Sequence, residues 1–347
     1  MQRTSTVRVA LPLTALMAVA VLTGCGASPT SSAPQSATPA GGGAGTSAKS
    51  GPATVPATVT LAGLRWASGA PLPIAVSEVG IAVLDGKIHV LGGYVAGRAH
   101  STTHLVYDIA AGSWSTGAPL PKALDHIGVA AVGGRILAVG GYGTAGSPTR
   151  QTYSFDPAAG AWTTKAPLPL ARAAAVAEVL NGKLHLVGGK GPGGDTGEHD
   201  VYDPSTDAWT TAAPMPTARD HAAAAVVAGK LHVVAGRPGG LTVHQVYDPK
   251  TDAWSTAAPL PAGRSALAGA SLGGRLIVVG GEDAAETQVT SEVDAYDPAA
   301  NSWTSLAALP AGRQGIEAAV VGNRLYLPGG GPSAGGSEQS SRLLILS

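Results

Sequence analysis

From residue 59 onward, short apolar runs alternate with small turn-forming residues, and the alternation repeats along the chain. In one copy the apolar runs cover 222–228, 230–236, 243–247 and 253–258, each short enough and alternating enough to predict a strand. The first two are joined by a tight turn that other copies write as Asp85-Gly86, Gly133-Gly134, Asn181-Gly182 and Gly273-Gly274. This is the chemistry of a two-residue hairpin with positive φ at both central positions. The third and fourth are joined by Asp-Pro and small polar residues, with proline set for the second position of a turn. Each copy therefore predicts four antiparallel strands.

Three anchors fix the period. The tryptophans Trp66, Trp114, Trp162, Trp209, Trp254 and Trp303 are spaced by 48, 48, 47, 45 and 49 residues. A small pair ends the second strand at Gly92-Gly93, Gly140-Gly141, Gly188-Gly189, Ala235-Gly236, Gly280-Gly281 and Gly329-Gly330, always 26 residues after a tryptophan. An aromatic followed by aspartate, at Tyr107, Phe155, Tyr202, Tyr247 and Tyr296, lies seven residues before its tryptophan. Length variation is thus confined to one loop per copy, and a fixed period of this size predicts a repeat architecture.

The succession of double glycine, Tyr-Asp-Pro, Trp, then Pro-Leu/Met-Pro and Arg resembles the kelch repeat over 59–347. The resemblance implies an all-β, six-bladed β-propeller with four antiparallel strands per blade. The C-terminal copy stops after Arg342–Ser347, with Ile345 at the aromatic position and no seventh tryptophan. Its missing outer strand is available at 61–73, which carries Trp66, so the N-terminal strand is expected to close the ring.

The segment before the repeats is different. Residues 1–24 carry Arg3 and Arg8 and an apolar run from Val9 to Leu22, too short for a spanning helix, which is the pattern of a signal peptide. Its end, Leu22-Thr23-Gly24-Cys25, resembles a bacterial lipoprotein signal, which implies lipidation of Cys25, the single cysteine of the chain. Residues 25–58 are almost wholly Ser, Ala, Gly, Pro and Thr, the composition of a disordered tether. The expected location is extracytoplasmic, held to the cell membrane through the lipid alone. Lys+Arg and Asp+Glu are 22 each, so the balance gives no electrostatic case for nucleic acid.

Because the repeats are copies, positions that differ between them mark where a site can sit. Eleven of the fifteen aromatics fall on the anchors and read as packing. His89, His185 and His232 share one strand position, and His104, His199 and His244 share another, so structural roles are expected for all six. After each Pro-Leu-Pro-like motif, the third residue past the proline is Val76, Leu124, Arg172, Arg219, Arg264 or Arg313, and the fifth is Glu78, His126, Ala174, His221, Ala266 or Gly315. The resemblance implies that these segments open around the central channel, on the face that also carries the variable loops. Arg172, Arg219, Arg264 and Arg313 would then form a basic arc opposite Glu78, Asp125 and His126, with His221 on the same rim. A guanidinium fork suits an anionic or polyhydroxyl ligand. The competing reading is that the arginines bind carbonyls and acids within the fold and lock the blades.

Galactose oxidase has kelch-type blades, but its copper chemistry uses two histidines and two tyrosines, one of them cross-linked to a cysteine. Here Cys25 is assigned to the lipid, and His100, His126 and His221 show no matching tyrosine–histidine pair, so neither metal nor other cofactor is expected. Sialic-acid epimerase, a six-bladed kelch protein of the bacterial envelope, needs only acid–base groups, which Glu78, Glu178, Glu317 and His126 can supply. The leading expectation is a binding module for a carbohydrate or an envelope or surface protein. The runner-up is a cofactor-free epimerase or mutarotase on an acidic sugar, and the third is a structural envelope scaffold.

Overall fold

The computed structural model describes Leu61 and residues 63–347; the expected signal peptide, Cys25 and the 25–58 tether lie outside the described residues. In the first blade the strands are Gly80–Leu84, Lys87–Leu91, His104–Asp108 and Ser113–Thr116, hydrogen-bonded in that order and all antiparallel. Four further blades repeat this plan from inner strands at Gly128–Val132, Val176–Leu180, Ala223–Val227 and Ala268–Leu272. The copy read from sequence holds strands Ala223–Val227, Lys230–Val234, His244–Asp248 and Ala253–Thr256, all within two residues of the expected ends. Both residues of the Asp85-Gly86 turn have positive φ, 50° and 71°, as the hairpin requires.

The sixth blade is assembled from both ends of the domain. Ala319–Val321, Arg324–Pro328 and Leu343–Leu346 form three strands, and Trp66–Ser68 adds the outer one with Trp66 opposite Leu346. Leu346, not Ile345, therefore occupies the position that Tyr107 and its equivalents hold opposite their tryptophans. The all-apolar run Leu343–Leu346 carries no alternation to set its register, which is why the sequence misplaces it by one residue.

Packing and hydrogen bonding both follow the ring. Six apolar clusters each draw on two facing blades, for example Ile88 and Val90 of the first with Ala319 and Tyr326 of the sixth. On the outside every tryptophan indole N–H reaches the first alanine carbonyl of the Ala-Pro or Ala-Ala-Leu-Pro motif of the adjoining blade: Trp114 to Ala70, Trp162 to Ala118, Trp209 to Ala166, Trp254 to Ala213, Trp303 to Ala258 and Trp66 to Ala307, at 2.8–2.9 Å. Nearer the axis, the second residue of each small pair donates its N–H to the next blade, as Gly93 does to the Leu124 carbonyl at 2.9 Å. Small residues suit that approach: a Cβ on Gly92 would lie 2.4 Å from the same carbonyl, and the one larger residue at this position, Ala235, still leaves Gly236 its 2.9 Å bond to the Arg264 carbonyl.

The six repeated histidines are internal, as the pattern implies. They pair within blades, His89 with His104, His185 with His199 and His232 with His244, through Nδ1 to Nε2 contacts of 2.8–3.0 Å. The second ring of each pair turns its own Nδ1 to the carbonyl of Ala118, Ala213 or Ala258, the same oxygens that receive tryptophan N–H groups.

Candidate functional site

The divergent position after each Pro-Leu-Pro-like motif forms a closed collar at the mouth of the central channel. Backbone N–H groups donate around it from Glu78 to Gly315, Gly315 to Ala266, Ala266 to His221, His221 to Ala174, Ala174 to His126 and His126 to Glu78, at 2.8–3.1 Å. All six residues have positive φ between 50° and 58°. Left-handed backbone costs on the order of 1 kcal/mol or more for a non-glycine residue. Because Ala174 and Ala266 share it, the conformation belongs to the ring rather than to any one side chain. Its consequence is positional: these side chains line a small chamber on the axis.

Three collar residues carry chemistry, and they converge. One ligand-capable atom from each of Glu78, His126 and His221 lies within 4.8 Å of the other two. His126 Nε2 is 3.3 Å from Glu78 Oε2, and the two imidazole centroids are 5.0 Å apart across the small Ala174 position. Glu78 leans into the space left open by Gly315, where a Cβ would lie 2.4 Å from Oε1. Each histidine is backed by the aspartate that precedes it: His126 Nδ1 donates to Asp125 Oδ1 at 2.5 Å, and His221 Nδ1 donates to Asp220 Oδ1 at 2.8 Å. Asp125 is fully buried and also pairs with His100. Burial by itself depresses the His126 imidazole, but the Glu78 and Asp125 carboxylates outweigh it and lift the group above the ordinary histidine value.

A second ring of divergent side chains surrounds the collar. The residue after each small pair bridges to the residue before each collar position, as in Ser77 with Tyr94, Asp125 with Tyr142, Ala173 with Lys190, Asp220 with Arg237 and Ser265 with Glu282. Arg237 extends toward the axis, with Nη1 3.5 Å from His221 Nε2, Nη2 2.5 Å from Glu282 Oε2 and Nε 3.2 Å from Glu286 Oε1. Glu282 is fully buried and also accepts the Gly335 N–H at 2.6 Å. Lys190 lies 3.8 Å from Asp220. Tyr94 and Tyr142 stand edge-on to the His126 ring at centroid distances of 5.5 and 5.3 Å. Burial, then Asp220 and Asp125, push the Tyr142 phenol up to about 12.

The four expected arginines are placed elsewhere. Arg172, Arg219, Arg264 and Arg313 are 0–4% exposed and lie inside their blades. Arg172 pairs with Asp200 and donates to the Glu198 carbonyl, while Arg264 pairs with Asp294 and donates to the Glu292 carbonyl. Arg219 takes Gln245 and the Val233 carbonyl, and Arg313 takes the Gly329 carbonyl. This is the blade-locking arrangement, and it leaves no basic arc on the rim. Glu78, Asp125, His126 and His221 do meet, and the side chains that join them without having been singled out are Arg237, Glu282, Asp220 and the two tyrosines. Two signals were available in the sequence: the Asp-His dipeptide at 125–126 and 220–221, and the divergence of the residue that follows each small pair.

Below the collar the inner strands enclose a wider part of the channel, about 260 Å³, lined mostly by Ala, Val and Gly with Glu178 and Glu317. Burial pushes Glu178 up to about 7; burial, with Glu178 and Glu78 adding repulsion, pushes Glu317 up to about 8. Neither contributes to the cluster of Glu78, His126 and His221.

Comparison with known proteins agrees with the fold. The model of the KLHDC2/KLHL20/DRC7 kelch-repeats domain matches over residues 78–259 and again over 127–330. Among solved structures, one described as "Structure of YjhT" superposes with a TM-score of 0.68 at 20% identity, covering 80% of this chain and 96% of that one. No curated protein matches the sequence.

Proposed function

Starting from the premise that this chain belongs to the kelch-repeat family, we propose that it is a binding module whose ligand seats on the channel mouth and is a carbohydrate. The observation that carries this reading is the convergence of Glu78, His126 and His221 on the axis, with Arg237 and Tyr142 beside them. Propellers host unrelated functions, so the site and not the fold supports this assignment. A carboxylate and two imidazoles in the small chamber, with a guanidinium and a phenol beside it, offer both acceptors and donors, which is what a ring of hydroxyl groups satisfies.

The charge balance refines the class of sugar. Glu78, Asp125, Asp220, Glu282 and Glu286 outnumber Arg237 and Lys190 at the mouth, and the four arginines expected to offset them are engaged inside the blades. A neutral sugar is favoured over an acidic one. The enzymatic alternative, an epimerase or mutarotase, draws on one feature: Asp125, His126 and Glu78 form a continuous chain along which a proton can move. Its acidic substrate is disfavoured by the same charge count. The extracytoplasmic, lipid-anchored location through Cys25 remains part of this proposal and rests on residues 1–58 of the sequence.

Thermal unfolding of the full chain with panels of neutral and acidic sugars tests the reading. A ligand at 100 times its dissociation constant stabilises by about 2.7 kcal/mol, several degrees for a domain of this size. A shift with neutral sugars that Arg237→Ala removes is the expected result. The absence of a shift with any sugar refutes the carbohydrate reading and favours a protein partner or a scaffold role.

A further inference from the structure

We propose that Glu78, His126 and His221 form a binding site for a single divalent transition-metal ion of the zinc class. The donor set is two imidazoles and one carboxylate, which suits such ions, whereas calcium and magnesium demand an oxygen shell. The three ligand atoms already lie within 4.8 Å of one another, and the Glu78–His126 pair is at 3.3 Å. Metal–ligand bonds of about 2.1 Å at tetrahedral angles need donors about 3.4 Å apart, so the Glu78–His126 pair is already at that spacing and His221 has at most about 1.4 Å to close.

Both histidines donate Nδ1–H to a buried aspartate, Asp125 or Asp220, each no more than 2% exposed. A carboxylate behind the ring fixes the tautomer that leaves Nε2 as the free lone pair and makes it more basic, the arrangement found behind metal-bound histidines. In the neutral ring Nε2 of His126 then faces Glu78, and Nε2 of His221 faces the guanidinium of Arg237. Glu78, His126 and His221 keep 8–10% of their side-chain area exposed, so water or a ligand hydroxyl can fill the remaining coordination positions. Glu78, Asp125 and Asp220 supply the compensating negative charge.

Arg237 opposes the ion, since its guanidinium lies 3.5 Å from His221 Nε2. It also holds Glu282 and Glu286, which gives it a seat away from the axis when the metal enters. This yields an unusual expectation, that removing a polar side chain from the site tightens binding. The inference does not need the carbohydrate reading, and each can fail without the other.

The test is calorimetric titration of the metal-stripped full chain with Zn²⁺, and with Co²⁺ read by its visible d–d absorption. One ion per chain is expected, with saturable binding lost in Glu78→Gln and His221→Gln. Asp220→Asn should weaken binding about 10–100-fold, and Arg237→Gln should strengthen it. Absence of saturable Zn²⁺ binding by the wild-type chain overturns the proposal, as does unchanged affinity in His221→Gln, or Ca²⁺ competing at equal concentration. If the ligand variants do not fold, the opposite shifts required of Asp220→Asn and Arg237→Gln decide it, and no shift in either overturns it.

Discussion

Acidification should loosen this propeller through three histidine pairs that lie far from the channel mouth. In each pair the alanine carbonyl accepts from Nδ1 of the outer ring, so that nitrogen carries the proton and Nε2 of the same ring is an acceptor. The partner's Nδ1 must then donate to it, and both rings are neutral. A second proton on Nε2 would set N–H against N–H inside a blade where both rings are at most 6% exposed. Burial accordingly holds His89, His185, His199, His232 and His244 down at about 4, from an ordinary 6.5. Since the folded value is the lower one, the unfolded chain takes up protons first. The contribution is intact above pH 6.5 and is lost as pH falls from 6.5 toward 4. Counting one proton per pair, linkage gives about 2 kcal/mol per pair at pH 5, or roughly 6 kcal/mol for three, comparable with the whole stability of many domains. Glu178 and Glu317 act in the opposite sense, because raised carboxyl values favour the folded state on acidification. The measurement must therefore be a difference. The fifth blade carries Ile277 and Val293 at the equivalent positions, both buried, so His232→Ile with His244→Val borrows a solution the fold already uses. Urea unfolding at pH 7.5 and pH 5 should show the double variant losing about 2 kcal/mol less than wild type between the two. Equal losses in the two proteins would refute the assignment of neutral, mutually bonded rings.

Two further outcomes follow from the blade interiors and the collar. Arg264→Ala strands the Asp294 carboxylate and should cost about 3–5 kcal/mol, whereas Arg219→Ala strands only neutral acceptors, the Gln245 amide and the Val233 carbonyl, and should cost about 1–3 kcal/mol; equal losses in urea unfolding would show that the paired acid is immaterial. Gly315→Ala keeps a conformation that Ala174 and Ala266 already adopt, but its Cβ displaces the Glu78 carboxylate. It should lose about 1–3 kcal/mol of stability while staying folded, and bind Zn²⁺ or sugar at least ten-fold more weakly, as titration of the folded variant would show.

The fold was legible because its cause is repeated. Tryptophan spacing, small pairs and glycine-bearing two-residue turns each recur, and each answers to one feature made six times: an indole bond to a carbonyl, a close backbone approach, or a hairpin with positive φ. The register of the last strand was not legible, since Leu343–Leu346 has apolar side chains on both faces. The site was half legible, and the half that failed is instructive. Repetition in four of six copies made Arg172, Arg219, Arg264 and Arg313 conspicuous, yet a residue kept by most copies serves what the copies share, here carbonyls and acids inside each blade. Glu78, His126 and His221 differ from their equivalents Ala174, Ala266 and Gly315, and they are the ones that meet on the axis. Arg237 escaped notice because nothing in its local sequence says that it crosses to Glu282, 45 residues on. In a ring of copies, departure from the repeat is the better guide to chemistry, and the partner that completes a site comes from a neighbouring blade that only closure of the ring brings near.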